Sequence, residues 1–160
     1  MISRIEQAIQ KNLCSSSTIG KFPESLRSAI DYSVFPGGAR IRPTILISVA
    51  KACGDDMPEI TDAAGSALEM IHCASLVHDD LPCFDDGDIR RGKPTVHKAY
   101  GENTAVLAGD SLIINAFNCL ASVSKYSHTR SANLMLCLSK YAGFPNGICA
   151  GQGWENEANI

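Results

Sequence analysis

Five aspartates stand between positions 79 and 88, at Asp79, Asp80, Asp85, Asp86 and Asp88, and Arg90 and Arg91 follow them directly. Carboxylates this close repel one another unless cations neutralise them, and oxygen ligands favour hard ions, Mg2+ or Ca2+. Paired guanidinium groups suit the phosphate oxygens that a carboxylate-held Mg2+ would share. A long apolar helical pattern, Ala67 to His78, runs straight into the cluster. Metal, phosphate and an apolar helix side by side point to a diphosphate carried on an apolar substrate. The competing reading is a solvated acidic loop, but Leu81, Pro82, Cys83 and Phe84 sit between the carboxylate pairs. An EF-hand needs Glu at its twelfth position. Counting from Asp79, Asp85 or Asp86 gives Arg90, Val96 or His97 instead. A histidine–aspartate phosphohydrolase needs a further upstream histidine, and none of the four precedes His72.

Asp79 and Asp85 are six residues apart, which on an unbroken helix places them on opposed faces. A bend at Pro82 lets both point at one cation. Two such ions bridging a diphosphate would neutralise the charge that builds as it departs. Upstream, Gly37-Gly38-Ala39-Arg40-Ile41-Arg42-Pro43 puts two arginines after a glycine pair at a helix start. Helix N-termini attract anions, and glycine lets a phosphate approach the backbone. His72 lies two turns before Asp79, on the same face.

The elements that must hold these groups are helical. Ile2, Ile5, Ile9 and Leu13 form one stripe, and Cys14 to Gly20 is a polar, serine-rich break. Pro23 opens a second helix carrying Leu26, Ala29 and Ile30. Phe35-Pro36-Gly37-Gly38 forces a turn, and a third helix runs from about Arg40 to Cys53, with Pro43 tolerated in its first turn. The segment Gly54-Asp55-Asp56-Met57-Pro58 ends it. From Glu59 to about Asp80 the pattern is apolar around much of its circumference, as a central buried helix requires. Pro82 terminates it, and Gly87 and Gly92 keep the next stretch irregular. Further helices are expected from Ala105 to about Ser124, Arg130 to Ala142, and Pro145 onwards. No stretch alternates long enough to make a strand. The fold class is all-α, one helical bundle in one domain over residues 1–160.

Bulk properties narrow the function. Fourteen basic and seventeen acidic residues give a net charge of −3 with no basic stripe, which argues against a nucleic-acid partner. Seven scattered cysteines, mostly flanked by apolar residues, suggest buried reduced thiols in the cytoplasm rather than disulfides or zinc. The N-terminus lacks the apolar core of a signal peptide, and no run is expected to reach transmembrane length. No convincing Ser-His-Asp or Cys-His set is present.

Taken jointly, the Gly37–Pro43 turn, the Asp79-Asp80-x4-Asp85-Asp86 bend and Arg90-Arg91-Gly92-Lys93-Pro94-Thr95 resemble the short-chain isoprenyl diphosphate synthases. The likeness runs from about Phe35 to the C-terminus. It implies the isoprenoid-synthase helical bundle, here roughly its N-terminal half, with Mg2+ as cofactor and a homodimer as assembly. It also implies a prenyltransferase reaction. An allylic diphosphate (geranyl or farnesyl) ionises, isopentenyl diphosphate attacks the cation, and a proton leaves.

By the same resemblance Asp79 and Asp85 are the catalytic metal ligands, with Asp80 and Asp86 as supporting ligands. Arg90 contacts the allylic diphosphate, while Arg91, Arg42 and His72 contact isopentenyl diphosphate. The family's usual lysine is replaced here by Ala39, so Arg40 is expected to take over its grip on that substrate. Gly151-Gln152-Gly153-Trp154-Glu155 is similar to the family's Gly-Gln-x-x-Asp element, which places Gln152 among the substrate-binding residues. Both variations also occur in the bacterial geranylgeranyl-type branch. An aromatic five residues before the first aspartate stops the family's product at fifteen carbons. The small Ala74 and Ser75 here imply a deeper chain-length pocket and a product of twenty carbons or slightly more. Family members are roughly twice this length, and their second aspartate-rich motif lies beyond Ile160. The alternative is therefore a shortened, non-catalytic paralogue that binds a diphosphate or pairs with a full-length synthase.

Overall fold

Ile5, Ile9 and Leu13 fold as one buried face of α1 (Ile2–Cys14). The computed structural model describes residues 1–14, 22–35 and 37–158. Residues 15–20 of the serine-rich break, and Pro36 in the turn after Phe35, lie outside the described residues. Beyond them come α2 (Glu24–Val34), α3 (Ile41–Ala52), α4 (Pro58–Asp79), β1 (Ile89–Arg90), β2 (Lys93–Pro94) and α5 (Val96–Tyr100). Then follow α6 (Glu102–Ser122), a 3-10 turn (Val123–Lys125), α7 (His128–Ala142) and α8 (Ile148–Ala158).

Helices α4 and α6 pack against each other at the centre, and α1, α2 and α3 all lie on α4. Met70, Cys73, Ala74 and Val77 of α4 meet Ala105, Ala108, Leu112 and Ala116 of α6 in one core. The many alanines allow the two backbones to approach closely. The sharpest case is Gly109, where an added Cβ would overlap the His78 ring. That ring lies across α6 with Nε2 3.3 Å from the Val106 carbonyl. In a helix interior Gly→Ala ordinarily stabilises by up to about 1 kcal/mol. At Gly109 overpacking of about 1–3 kcal/mol should reverse the sign, whereas Gly151 of α8 has open space where a methyl would go. Urea titrations should therefore show Gly109→Ala less stable than the parent and Gly151→Ala no less stable. A stabilising Gly109→Ala would refute the packing role of His78.

Three expectations are corrected. The stretch after the aspartates contains a minimal antiparallel hairpin, paired Ile89↔Pro94 and Arg90↔Lys93. Its two-residue loop, Arg91 (φ 54°) and Gly92 (φ 78°), is left-handed at both positions, as a type I′ hairpin demands. Second, Glu102–Lys125 is, by length and composition alone, apolar enough to cross a membrane. Its hydrophobicity goes into the core on the α4 side, where Ala105, Ala108, Leu112 and Ala116 are fully buried. Third, among the described residues only Cys73 and Cys119 are buried cysteines, their thiols pushed up to about 11 by burial. Cys53, Cys83, Cys137 and Cys149 are free and exposed. Apolar neighbours in sequence do not say which side of a helix a residue occupies.

Candidate functional site

At the C-terminus of α4 the chain doubles back within eight residues. Leu81 N donates to His78 O and Phe84 N to Leu81 O; Asp85 N then reaches Asp79 O at 3.0 Å. This last bond puts the two aspartates side by side despite their separation in sequence. Thr95 Oγ1 donates to Gly87 O (2.7 Å) and Thr95 N to Asp88 O (3.0 Å), fastening the end of the bend to the hairpin. The hairpin is in turn pinned to the end of α2. Lys93 Nζ donates to Tyr32 O and Phe35 O, and Tyr32 Oη donates to Pro94 O.

The four motif aspartates have four different surroundings. Asp79 Oδ1 accepts a 2.7 Å hydrogen bond from Gln152 Nε2 of α8, and its Oδ2 is 3.7 Å from Arg90 Nη2. Asp85 is exposed, and its carboxylate has no hydrogen-bonding or ion-pair partner among the described residues. Asp80 and Asp86, expected as supporting metal ligands, both lie against cationic or titratable side chains of the chain itself. Asp80 is 4% exposed and held by Arg90, with Nε 2.8 Å from both carboxylate oxygens and Nη2 2.7 Å from Oδ1. Its hydrogen bonds raise the Arg90 pKa above the ordinary arginine value. Asp86, in a left-handed conformation (φ 47°), turns towards α5, 3.6 Å from Lys98 Nζ and 3.9 Å from His97 Nε2. Asp80 thus serves the buried frame, whereas Asp86, with its side chain 60% exposed, pairs with α5 at the surface.

A second group gathers beside the first. Arg42 Nη1 is 3.2 Å from His72 Nε2. A guanidinium can only donate, so Nε2 accepts and the ring proton resides on Nδ1. Burial, and then the positive charges of Arg42, Arg91 and Arg90, push the His72 pKa below 6.5, which keeps the ring neutral at pH 7. The Arg91 guanidinium lies over Gly38, where a Cβ would meet it at 3.0 Å. Neither Arg42 nor Arg91 has a carboxylate partner among the described residues. Two cations without carboxylate partners beside a neutral histidine have the chemistry to bind an anion.

Arg40 is not part of it, contrary to expectation. Its left-handed backbone (φ 50°) sends the side chain inward, where the residue is 3% exposed. Nε and Nη2 donate to Glu6 Oε1 (2.8 Å) and Oε2 (3.3 Å), Nη1 to Glu69 Oε1 (2.7 Å), and Nη2 also to Val34 O (2.8 Å). Burial opposes the charge, but the hydrogen bonds and ion pairs to Glu6 and Glu69 outweigh it and hold the pKa well above the ordinary arginine value. Four of its five N–H donors are taken by these partners, and its burial keeps the guanidinium away from the open face.

Between α4, α6, α7 and α8 lies a cavity of about 700 Å3 whose walls include Ile71, Ala74 and Ser75 of α4 with Ile113 and Phe117 of α6. Asp79 and Gln152 also line it. Asp85 is absent from the lining, so only the first of the two expected ligands faces this cavity. From Asp79 to Ile71 the α4 wall extends about 12 Å at 1.5 Å per residue. Sequence reasoning missed Ile113 and Phe117, although their i,i+4 spacing marks them as one face of α6.

The sequence profile described as Polyprenyl synthetase matches residues 23–159. A geranylgeranyl diphosphate synthase of Rhodobacter capsulatus is 59% identical over 157 residues, which cover 98% of this chain and 54% of that protein. A farnesyl diphosphate synthase of Geobacillus stearothermophilus is 45% identical over 137 residues, 84% of this chain and 46% of that protein. The crystal structure of a geranyltransferase from Legionella pneumophila superimposes with a TM-score of 0.86 at 36% identity, covering 96% of this chain and 53% of that one. The chain spans about half the length of the curated relatives it matches. With a family profile that covers most of its length, the chain belongs to the polyprenyl synthetase family.

Proposed function

We propose that the chain carries the diphosphate-binding half of a prenyltransferase that joins isopentenyl diphosphate to geranyl or farnesyl diphosphate, with geranylgeranyl diphosphate as product. The observation that carries this reading is the apolar cavity with Asp79 in its lining, beside an anion site of opposite charge. Mg2+ commonly takes one or two carboxylates and completes its shell with phosphate oxygens and water. Asp79 and the partner-free Asp85 fit that requirement; when bound, Mg2+ would supply charge stabilisation to the departing diphosphate. Arg90, aimed by Asp80, would contact the allylic diphosphate. Arg42 and Arg91 would hold the isopentenyl diphosphate, with neutral His72 accepting from Arg42. The cavity would sequester the growing tail from water.

Exposed Leu107 and Ile114 on α6 offer an apolar outer face for a second copy, in keeping with a homodimer. Free exposed thiols suit a reducing compartment such as the cytoplasm. A second reading is a non-catalytic diphosphate-binding partner of a full-length synthase. Incubation of the chain with Mg2+, farnesyl diphosphate and radiolabelled isopentenyl diphosphate separates the two, because only the first yields a longer prenyl product. Both predict that Asp79→Asn lowers Mg2+-dependent farnesyl diphosphate affinity by at least about 100-fold, the upper range for groups one shell further from a metal. Unchanged affinity in calorimetric titration would remove the metal role.

A further inference from the structure

The family profile begins at residue 23, so α1 lies outside the matched region. Yet α1 reaches the anion site through a single side chain. Both Glu6 oxygens hold the buried Arg40, whose Nη1 is held by Glu69 of α4. Two residues after Arg40 comes Arg42; three residues after Glu69 comes His72, its partner. The pairs Arg40–Glu69 and Arg42–His72 are thus successive rungs between the start of α3 and one face of α4. The inner rung is anchored to α1 and the outer one faces solvent.

The glycine pair just before Arg40 is layered by arginines. A Cβ on Gly37 would overlap the Arg40 guanidinium, and one on Gly38 would press on that of Arg91. A shift of the inner guanidinium therefore displaces the loop against Arg91 and tilts Arg42 away from His72. We propose that Glu6, acting through Arg40, is a positioning residue for the diphosphate site formed by Arg42, Arg91 and His72, which makes α1 part of that site's support. This rests on the reading of those three residues as a diphosphate site.

Glu6→Gln is the sharpest probe, since it keeps the side-chain shape and removes the charge. It leaves α1 in place, because Arg4 still pairs with Asp55 and Asp62 and Ile5 and Ile9 stay buried. Glu6→Asp, which keeps the charge on a shorter stem, should fall between Gln and the parent. The 160-residue chain is titrated with inorganic diphosphate by calorimetry, and the His72 ring is followed by NMR against pH, with Arg42→Ala as control. The parent binds and Arg42→Ala loses binding. Glu6→Gln weakens binding by about two- to thirtyfold, the range for residues acting through a neighbour. Its His72 midpoint rises towards the ordinary 6.5 as Arg42 withdraws. Parent-like affinity together with an unmoved His72 midpoint in Glu6→Gln overturns the inference and leaves the diphosphate site standing. A parent that fails to bind diphosphate overturns both.

Discussion

Replacing Arg40 with methionine should destabilise the chain by about 3–5 kcal/mol, the usual cost of breaking a buried ion pair from one side. Glu69, 2% exposed, would be left charged without the guanidinium that donates to it, and the Val34 carbonyl would lose its 2.8 Å donor. Glu6 is the lesser term, because its side chain is 34% exposed and can turn to water. Against a typical total of about 5–15 kcal/mol, such a loss threatens folding itself. The double variant Arg40→Met with Glu69→Leu removes both buried charges, and apolar replacements of whole pairs are often neutral or better. Equilibrium denaturation should therefore show a large deficit in the single variant and partial recovery in the double one. A single variant within about 1 kcal/mol of the parent would show that the buried cluster is not a structural charge pair.

The stripes that define α1, α2, α3 and α4 could be read because each buries one periodic face, and periodicity is a one-dimensional property. The hairpin could not. Two-residue strands have no period, and the decisive signal is the left-handed pair Arg91-Gly92, of which only the glycine announces itself. Helix α5, five residues between Thr95 and Gly101, is likewise too short for a pattern. The apolar length of α6 was visible but ambiguous. Only its packing on α4 shows that the apolar surface serves a core.

At the site, residue types and order were legible, whereas the pairing of charges was not. Asp79 and Asp80 are adjacent, and backbone geometry alone decides that Asp80 is the one that turns inward. Arg40 and Arg42 differ in the same way: a left-handed backbone at Arg40 sends one guanidinium into the core while the other stays at the surface. Gln152 reaches Asp79 across 73 positions, a link that no local spacing encodes.

The small Ala74 sets the largest expected change in specificity. It is 1% exposed, lies on the cavity wall five residues before Asp79, and shares that cavity with Ile113 and Phe117 of α6. A phenyl ring in Ala74→Phe must enter the cavity, since the surrounding α4–α6 core is closed. The portion of cavity nearest the diphosphate is kept and the far end is cut off. Each buried CH2 contributes about 0.8 kcal/mol, so excluding one five-carbon unit costs about 4 kcal/mol, nearly a thousandfold in affinity. Farnesyl diphosphate should therefore bind Ala74→Phe far more weakly than the parent, while geranyl diphosphate, one unit shorter, should bind both alike. In a protein turning over both substrates the product would shorten from twenty carbons towards fifteen. Calorimetric titration with the two allylic diphosphates gives the difference directly, and equal losses for both would mean that the ring blocks the diphosphate end rather than the tail.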